Sequence, residues 1–269
     1  MEVRDFALGI VTARTLEEKL TPPPAGLTDR SPGPALRLTR PGRPPELAIV
    51  PVRSAKVPRK TGMVDPAQRG RILHALANHE LQAVELFAWA LLAFPGADRE
   101  FRRELVGQVA EEERHCRMYR DRLAALGVKL GDYPVSGYFW SKVKDFTSPL
   151  RFVCGVSLTF ENANLDHAVE YARAARAAGD LETAALLECV HEDEVEHVRF
   201  GWRWLRRWKE KAQTMCDAYC ANVTWPLRPA LARGQMFHPE GREMAGIDPE
   251  FIRLLETSDR KAPLDQRRA

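Results

Sequence analysis

Two Glu-x-x-His pairs in this sequence could bind metal: Glu112 with His115, and Glu194 with His197. Three residues apart on a helix, a carboxylate and an imidazole are neighbours on one face, so both can reach a single metal ion. A third pair, Glu188 with His191, has the same spacing, and the chain's seven histidines are enough to supply one such pair by chance. Spacing alone therefore does not decide which pairs matter. A two-metal site built from helices asks for more: a Glu-x-x-His from each of two helices and one further Glu from each of two others. The sequence offers Glu80 or Glu85 and Glu161 for those places.

These side chains must be carried on long helices, and the sequence marks where those begin and end. Asp65-Pro66 is a capping residue followed by proline at a first helical position, and the helical pattern then runs to Phe94 before Pro95-Gly96. A second helix starts near Asp98 and ends at Gly127. Ser148-Pro149 repeats the start signal for a third, which runs to Gly179, and Asp180 caps a fourth that continues through the stretch GWRWLRRW. The joints between the first and second and between the third and fourth are only two or three residues long, which makes each pair antiparallel. Between them lie some twenty residues, from Gly127 to Thr147, enough to run the length of a bundle. The expected fold is thus all-α: a ferritin-like four-helix bundle of two antiparallel hairpins joined by a long crossover. Its expected limits are residues 63–221, with a C-terminal extension over 222–269 that carries a short helix near 249–257 and a polar tail.

Ligands from four helices must meet at one level, so each should lie as far from its hairpin turn as its partner does. Glu80 and Glu112 are each sixteen residues from Gly96, whereas Glu85 is eleven. Five residues of helix is about 7.5 Å. In the second hairpin Glu161 lies eighteen residues before Gly179, and Glu194 and His197 lie fifteen and eighteen after it; Glu188 and His191 lie only nine and twelve after. The rival set, Glu85 with Glu188 and His191, has the more constant sequence offset from hairpin to hairpin (76 throughout, against 81, 82 and 82). Level-matching is the stronger criterion, because ligands must meet in space while loops need not be equal. It selects Glu80, Glu112, His115, Glu161, Glu194 and His197, with Glu85, Glu188 and His191 as alternatives. The selected glutamates also sit in apolar stripes: Glu80 shares its stripe with Leu73, Leu76, Val84 and Phe87. An unpaired buried charge is very costly. Four such carboxylates would bring four negative charges, and two divalent cations would balance them.

Composition narrows the remaining possibilities. Forty basic residues against 37 acidic leave a net charge of +3, which does not announce a nucleic-acid binder, and no run of apolar residues is long enough to span a membrane. The N-terminus has no apolar stretch of the secretory kind. The five cysteines are odd in number and lie mostly in helical patterns, which fits reduced thiols and a cytoplasmic location. The first sixty-two residues differ from the rest. They hold eleven of the basic residues and six of the acidic, and ten of the nineteen prolines fall between Pro22 and Pro58. Residues 5–20 suit one short helix; the stretch after them is expected to be an extended, basic, proline-rich arm packing on the bundle. Contact of that arm with nucleic acid is the sharper but less supported reading.

The segments HELQAVEL (79–86), EEERH (111–115), ENANLD (161–166) and DEVEHVRFGWRW (193–204) resemble an uncharacterised family of ferritin-like bacterial proteins. That family is known mainly as a domain of unknown function, and some members carry a rhamnosyltransferase label. The likeness extends to GDYP (131–134) and GREMAGID (241–248), and so covers most of the chain. It implies a ferritin-like fold and a carboxylate-bridged dimetal site, without naming a substrate. The family's second helix usually reads Asp-Glu-x-x-His, and Glu111 stands here in place of that Asp. Resemblance to dimetal bundles further implies that Glu111 and Asp193 each hold a ligand histidine through its free nitrogen, and that Glu112, with Glu194 or Glu161, bridges the metals.

Carboxylate and imidazole donors without thiolate suit iron and manganese. The expected cofactor is a pair of metal ions, Fe/Fe first, with Fe/Mn and Mn/Mn as alternatives. The expected activity is that of an O2-dependent non-haem dimetal oxidoreductase, which oxidises or hydroxylates a small molecule or nucleoside. It would use an external electron donor, and a second copy of the chain is a possible partner in a homodimer. The alternatives are a ferroxidase or iron-handling protein and a non-catalytic helical module with a structural dimetal site.

Overall fold

In the computed structural model, which describes residues 1–259, the chain is all-α, with one two-residue strand pair. The expected polar tail lies outside the described residues from 260 onward. The helices in chain order are α1 (Val3–Thr12), α2 (Leu16–Lys19), α3 (Pro66–Ala93), α4 (Arg99–Ala125), α5 (Pro149–Gly155), α6 (Asn162–Ala177), α7 (Leu181–Trp208), α8 (Met215–Asn222), α9 (Glu240–Met244) and α10 (Pro249–Thr257). Among the described residues no helix is long and apolar enough to cross a membrane. The chain divides into two compact units: Met1–Lys144 with Ala174–Leu186, and Asp145–Arg173 with Leu187 onward.

In the first unit α3 and α4 pack together as a hairpin closed by the short turn between Phe94 and Asp98. The start of α3 is set locally: Asp65 accepts the backbone N–H groups of Ala67 and Gln68, and Pro66 occupies the position that has no hydrogen bond to lose. The expected single helix over 5–20 is two. Thr15 and Glu18 form a reciprocal capping box that starts α2, while Ala13 is extended, so the chain turns rather than continuing α1.

The proline-rich segment is anchored along α3 and α4. Gly42 crosses the end of α1 with its N–H on Val11 O at 2.8 Å, and a Cβ there would stand 2.2 Å from Thr12 O. Only glycine fits, and the crossing delivers Arg43 into the interior. Further along the arm, Asp29 takes two bonds from the buried Arg102 of α4, and Leu38 O accepts Trp89 Nε1 of α3 at 2.9 Å. Strand β1 (Ile49–Val50) pairs in parallel with β2 (Val135–Ser136), tying the arm to the long crossover segment. Asp180, at the turn between α6 and α7, accepts Thr183 N at 2.9 Å as the expected cap and is also gripped by Arg69 and Arg122, each at 2.7 Å.

In the second unit the third long helix is not uniform. Between α5 and α6 the chain makes a π-helical turn over Val156–Glu161. Ser148 and Pro149 start α5 as expected, but no local pattern announces the widened turn. Its stabilisers come from elsewhere in space. Thr159 Oγ1 reaches back to Cys154 O at 2.7 Å and meets Tyr219 OH of α8 at 2.7 Å. Gly201 of α7 lies so close that a Cβ would stand 2.5 Å from Ser157 Cβ. The C-terminal segment is fastened by Arg242 of α9, fully buried, which makes a two-bond pair with Asp166 of α6 and also donates to Asn162 O and Ala232 O. Trp202 of α7 packs against Phe251 of α10 with ring centroids 5.0 Å apart, and so is a packing residue.

Candidate metal centre

The structure gathers the selected residues into two triads of the same composition, one in each unit. In the first, Glu80 comes from α3, and Glu112 and His115 come from one face of α4. One ligand atom from each lies within 4.8 Å of the others. His115 Nδ1 is 3.5 Å from Glu80 Oε2 and 3.7 Å from Glu112 Oε2. All three are buried, at 4, 1 and 0 % exposure, which separates them from ordinary surface glutamates. Burial, reinforced by the charge of Glu112, raises the Glu80 pKa well above the usual carboxylate range, against a smaller opposing pull from His115.

In the second triad Glu161 is the last residue of the π-turn, and Glu194 and His197 stand on one face of α7. Again one ligand atom from each lies within 4.8 Å of the others. His197 Nδ1 is 3.4 Å from Glu194 Oε2 and 3.9 Å from Glu161 Oε1, and the three residues are buried. Asn164, three residues after Glu161, donates its amide to Glu194 Oε1 at 2.8 Å. The other oxygen, Glu194 Oε2, is buried with no hydrogen-bond donor among the described residues. A carboxylate fixed through one oxygen and left open at the other is poised to bind a cation. Sequence reasoning missed Asn164, although its place on the Glu161 face was readable from the three-residue spacing.

The alternative residues lie elsewhere. Glu85 is fully buried but has its own cations: Lys19 Nζ at 2.9 Å, and Arg43 through Nε at 2.9 Å and Nη2 at 2.8 Å, with Trp140 Nε1 at 2.7 Å. It is a closed ionic knot between the arm and α3. No local signal could have revealed Lys19 and Arg43 as its partners, because they approach through the fold. Glu188 and His191 line a surface pocket of about 290 Å³ between α6 and α7, with Glu188 exposed and His191 half-buried. Burial lowers the pKa of His191, partly offset by the negative charges of Glu194 and Glu192. Glu111 and Asp193, expected beside the histidines, are half-buried on α4 and α7.

The molecule is therefore an all-helical protein whose buried glutamate and histidine clusters could hold metal ions. The family described as "Protein of unknown function (DUF455)" matches residues 10–253, and the chain belongs to it. No curated protein matches the chain, and neither does any solved structure.

Proposed function

We propose that the two triads are the halves of one dimetal-carboxylate centre in a ferritin-like four-helix bundle, and that the protein uses it to oxidise or hydroxylate a small molecule with O2. The observation that carries this reading is the pair Glu80 and Glu194. Both are buried, and among the described residues neither meets a lysine or arginine. Buried carboxylates need compensating charge. Apart from the Asn164 amide on Glu194, the groups around them are other carboxylates and imidazoles, which are metal donors rather than counter-ions. The level-matching of the two hairpins in the sequence supports joining the triads, and three ligands apiece leave coordination positions for other molecules. The π-turn at Glu161 is in keeping with a site, since such turns recur where function strains a helix.

The donor set fits iron or manganese: Glu80, Glu112 and His115 would hold one ion, and Glu161, Glu194 and His197 the other, with Fe/Mn and Mn/Mn as variants. A reduced iron pair held there would supply the electrons that O2 must accept before it attacks an organic molecule. The chain's own residues hold and orient that pair. Asn164 fixes one oxygen of Glu194, and the apolar stripes around Glu80 and Glu112 exclude bulk water.

Metal content per chain of protein purified from iron-supplemented cells tests the reading directly. Two ions per chain are expected, falling sharply in Glu80→Gln and Glu194→Gln and unchanged in the exposed control Glu196→Gln. Reduced, iron-loaded protein should consume O2, and Glu112→Gln should abolish that uptake. A chain that folds and binds no iron or manganese overturns the proposal. Many irons per chain in a large assembly would turn it into an iron-handling protein.

A further inference from the structure

The selected residues on α7 belong to a longer series: Glu188, His191, Glu194 and His197 recur at intervals of three. Neighbours three apart touch, yet each step covers about 300° of helix, so the line drifts backward by about 60° per step. A row of this kind winds around its helix instead of running along it. Exposure follows the winding. Glu188 is exposed, His191 is half-buried, Glu194 is 2 % exposed and His197 is fully buried. The series leads metal-binding side chains from solvent to the interior without a gap larger than one helical turn.

Its outer end opens on the pocket of about 290 Å³, where Glu188, His191 and Glu192 face the small side chains of Ala168 and Ala172 on α6. Arg173 stands at the same rim, so the charged groups there carry two negative charges and one positive. Glu194 is close enough to His191 for its charge to act on the ring, and Asp166 and His238 do so from α6 and the C-terminal segment. The ring's Nε2 lies beside Gly241, where a Cβ would come within 3.3 Å of it. The inner end is the buried, donor-free Oε2 of Glu194.

We infer that the pocket at Glu188, His191 and Glu192 is a transient binding site for a divalent transition-metal ion, and that His191 passes the ion inward to Glu194. The inference rests on the dimetal reading. It adds that the buried centre is filled along α7, through carboxylate and imidazole donors suited to such ions. Acid-lined clefts raise local cation concentration and on-rates, so the gain lies in rate and not in final occupancy.

The test is stopped-flow loading of apo-protein with Co2+, monitored by visible absorption, with final stoichiometry measured on the same samples. His191→Ala should load roughly tenfold or more slowly than wild type and still reach two ions per chain. The double variant Glu188→Gln, Glu192→Gln changes only exposed residues and keeps the test valid if His191→Ala folds poorly. It should load more slowly and lose most of the salt dependence of uptake. Loading at the wild-type rate in both variants overturns the inference. So does a loss of final stoichiometry in His191→Ala, which would make His191 a permanent ligand. A wild-type chain that takes up no Co2+ overturns instead the dimetal reading on which the inference stands.

Discussion

Glu85 and Glu80 are five residues apart on α3 and both are buried, yet they are treated in opposite ways. Around Glu85 the fold brings a lysine, an arginine and an indole N–H, every one within 2.9 Å. Around Glu80 it brings Glu112 and His115. The first arrangement is complete: the charge is neutralised by the protein, and the result is an anchor for the N-terminal arm. The second gathers like charges and leaves their compensation to something else. A buried acid is thus no sign of a metal by itself; the distinction between the two is whether the chain supplies the cation.

The largest effect expected from this contrast is on folding. Glu85→Ala leaves Lys19 and Arg43 buried without their counter-ion, and breaking a buried pair from one side costs about 3–5 kcal/mol. Denaturant titration of the metal-free protein should show that loss. Glu80→Gln removes one of two adjacent buried acids, so the metal-free protein should be as stable as wild type or more so. Equal destabilisation by the two substitutions would erase the distinction.

Metal removal gives the next effect. If Glu80 and its neighbours await cations, chelation should lower stability by about 4 kcal/mol at free metal a thousand times Kd. Glu80→Gln should be insensitive to the chelator. Thermal melts with and without iron read both.

Asp180 sharpens the comparison from the side of the protein-neutralised acids. Burial tends to raise its pKa, but the Thr183 backbone and hydroxyl donors and Arg122 outweigh that and bring it from 3.8 to about 2. A depressed carboxylate stabilises the fold fully above its unfolded value, so this contribution persists above pH 3.8 and disappears as pH falls through about 2. Asp180→Asn should cost about 3 kcal/mol at neutral pH and flatten that part of the acid limb. An unchanged limb would mean that Asp180 is not held as an ion.

The features legible in the sequence are those that depend on neighbours in the chain. Asp65-Pro66 and Ser148-Pro149 place the starts of α3 and α5 because capping is settled within three residues. The triads were legible because helices are regular, so counting from a turn predicts which side chains share a level. The π-turn was not, since Gly201 and Tyr219 meet it only in the folded chain. The partners of Glu85 were hidden for the same reason: Gly42 decides where Arg43 goes, and nothing near Gly42 in sequence shows that α1 ends beside it. The one helix expected over 5–20 broke at Thr15 through a capping box whose residues, Thr15 and Glu18, were in plain sight.

The smallest expected effect divides the acids of the two triads among themselves. Glu194 is held through Oε1 by Asn164, while the corresponding place three residues after Glu80 is Ala83, which has no amide to offer. Asn164→Ala should free Glu194 to rotate and weaken metal binding about 10–100-fold, the usual range for a group that orients a ligand. Asn164→Leu, which keeps the branching at Cγ without the amide, should weaken it equally if the hydrogen bond matters, and less if Asn164 only fills space. Competition titration against a coloured chelator measures each. Because the first triad lacks this restraint, the loss should fall on one of the two ions, giving a biphasic titration in place of a uniform shift. A uniform shift would mean that the two triads respond as one and that the asymmetry at Asn164 has no bearing on how metal is held.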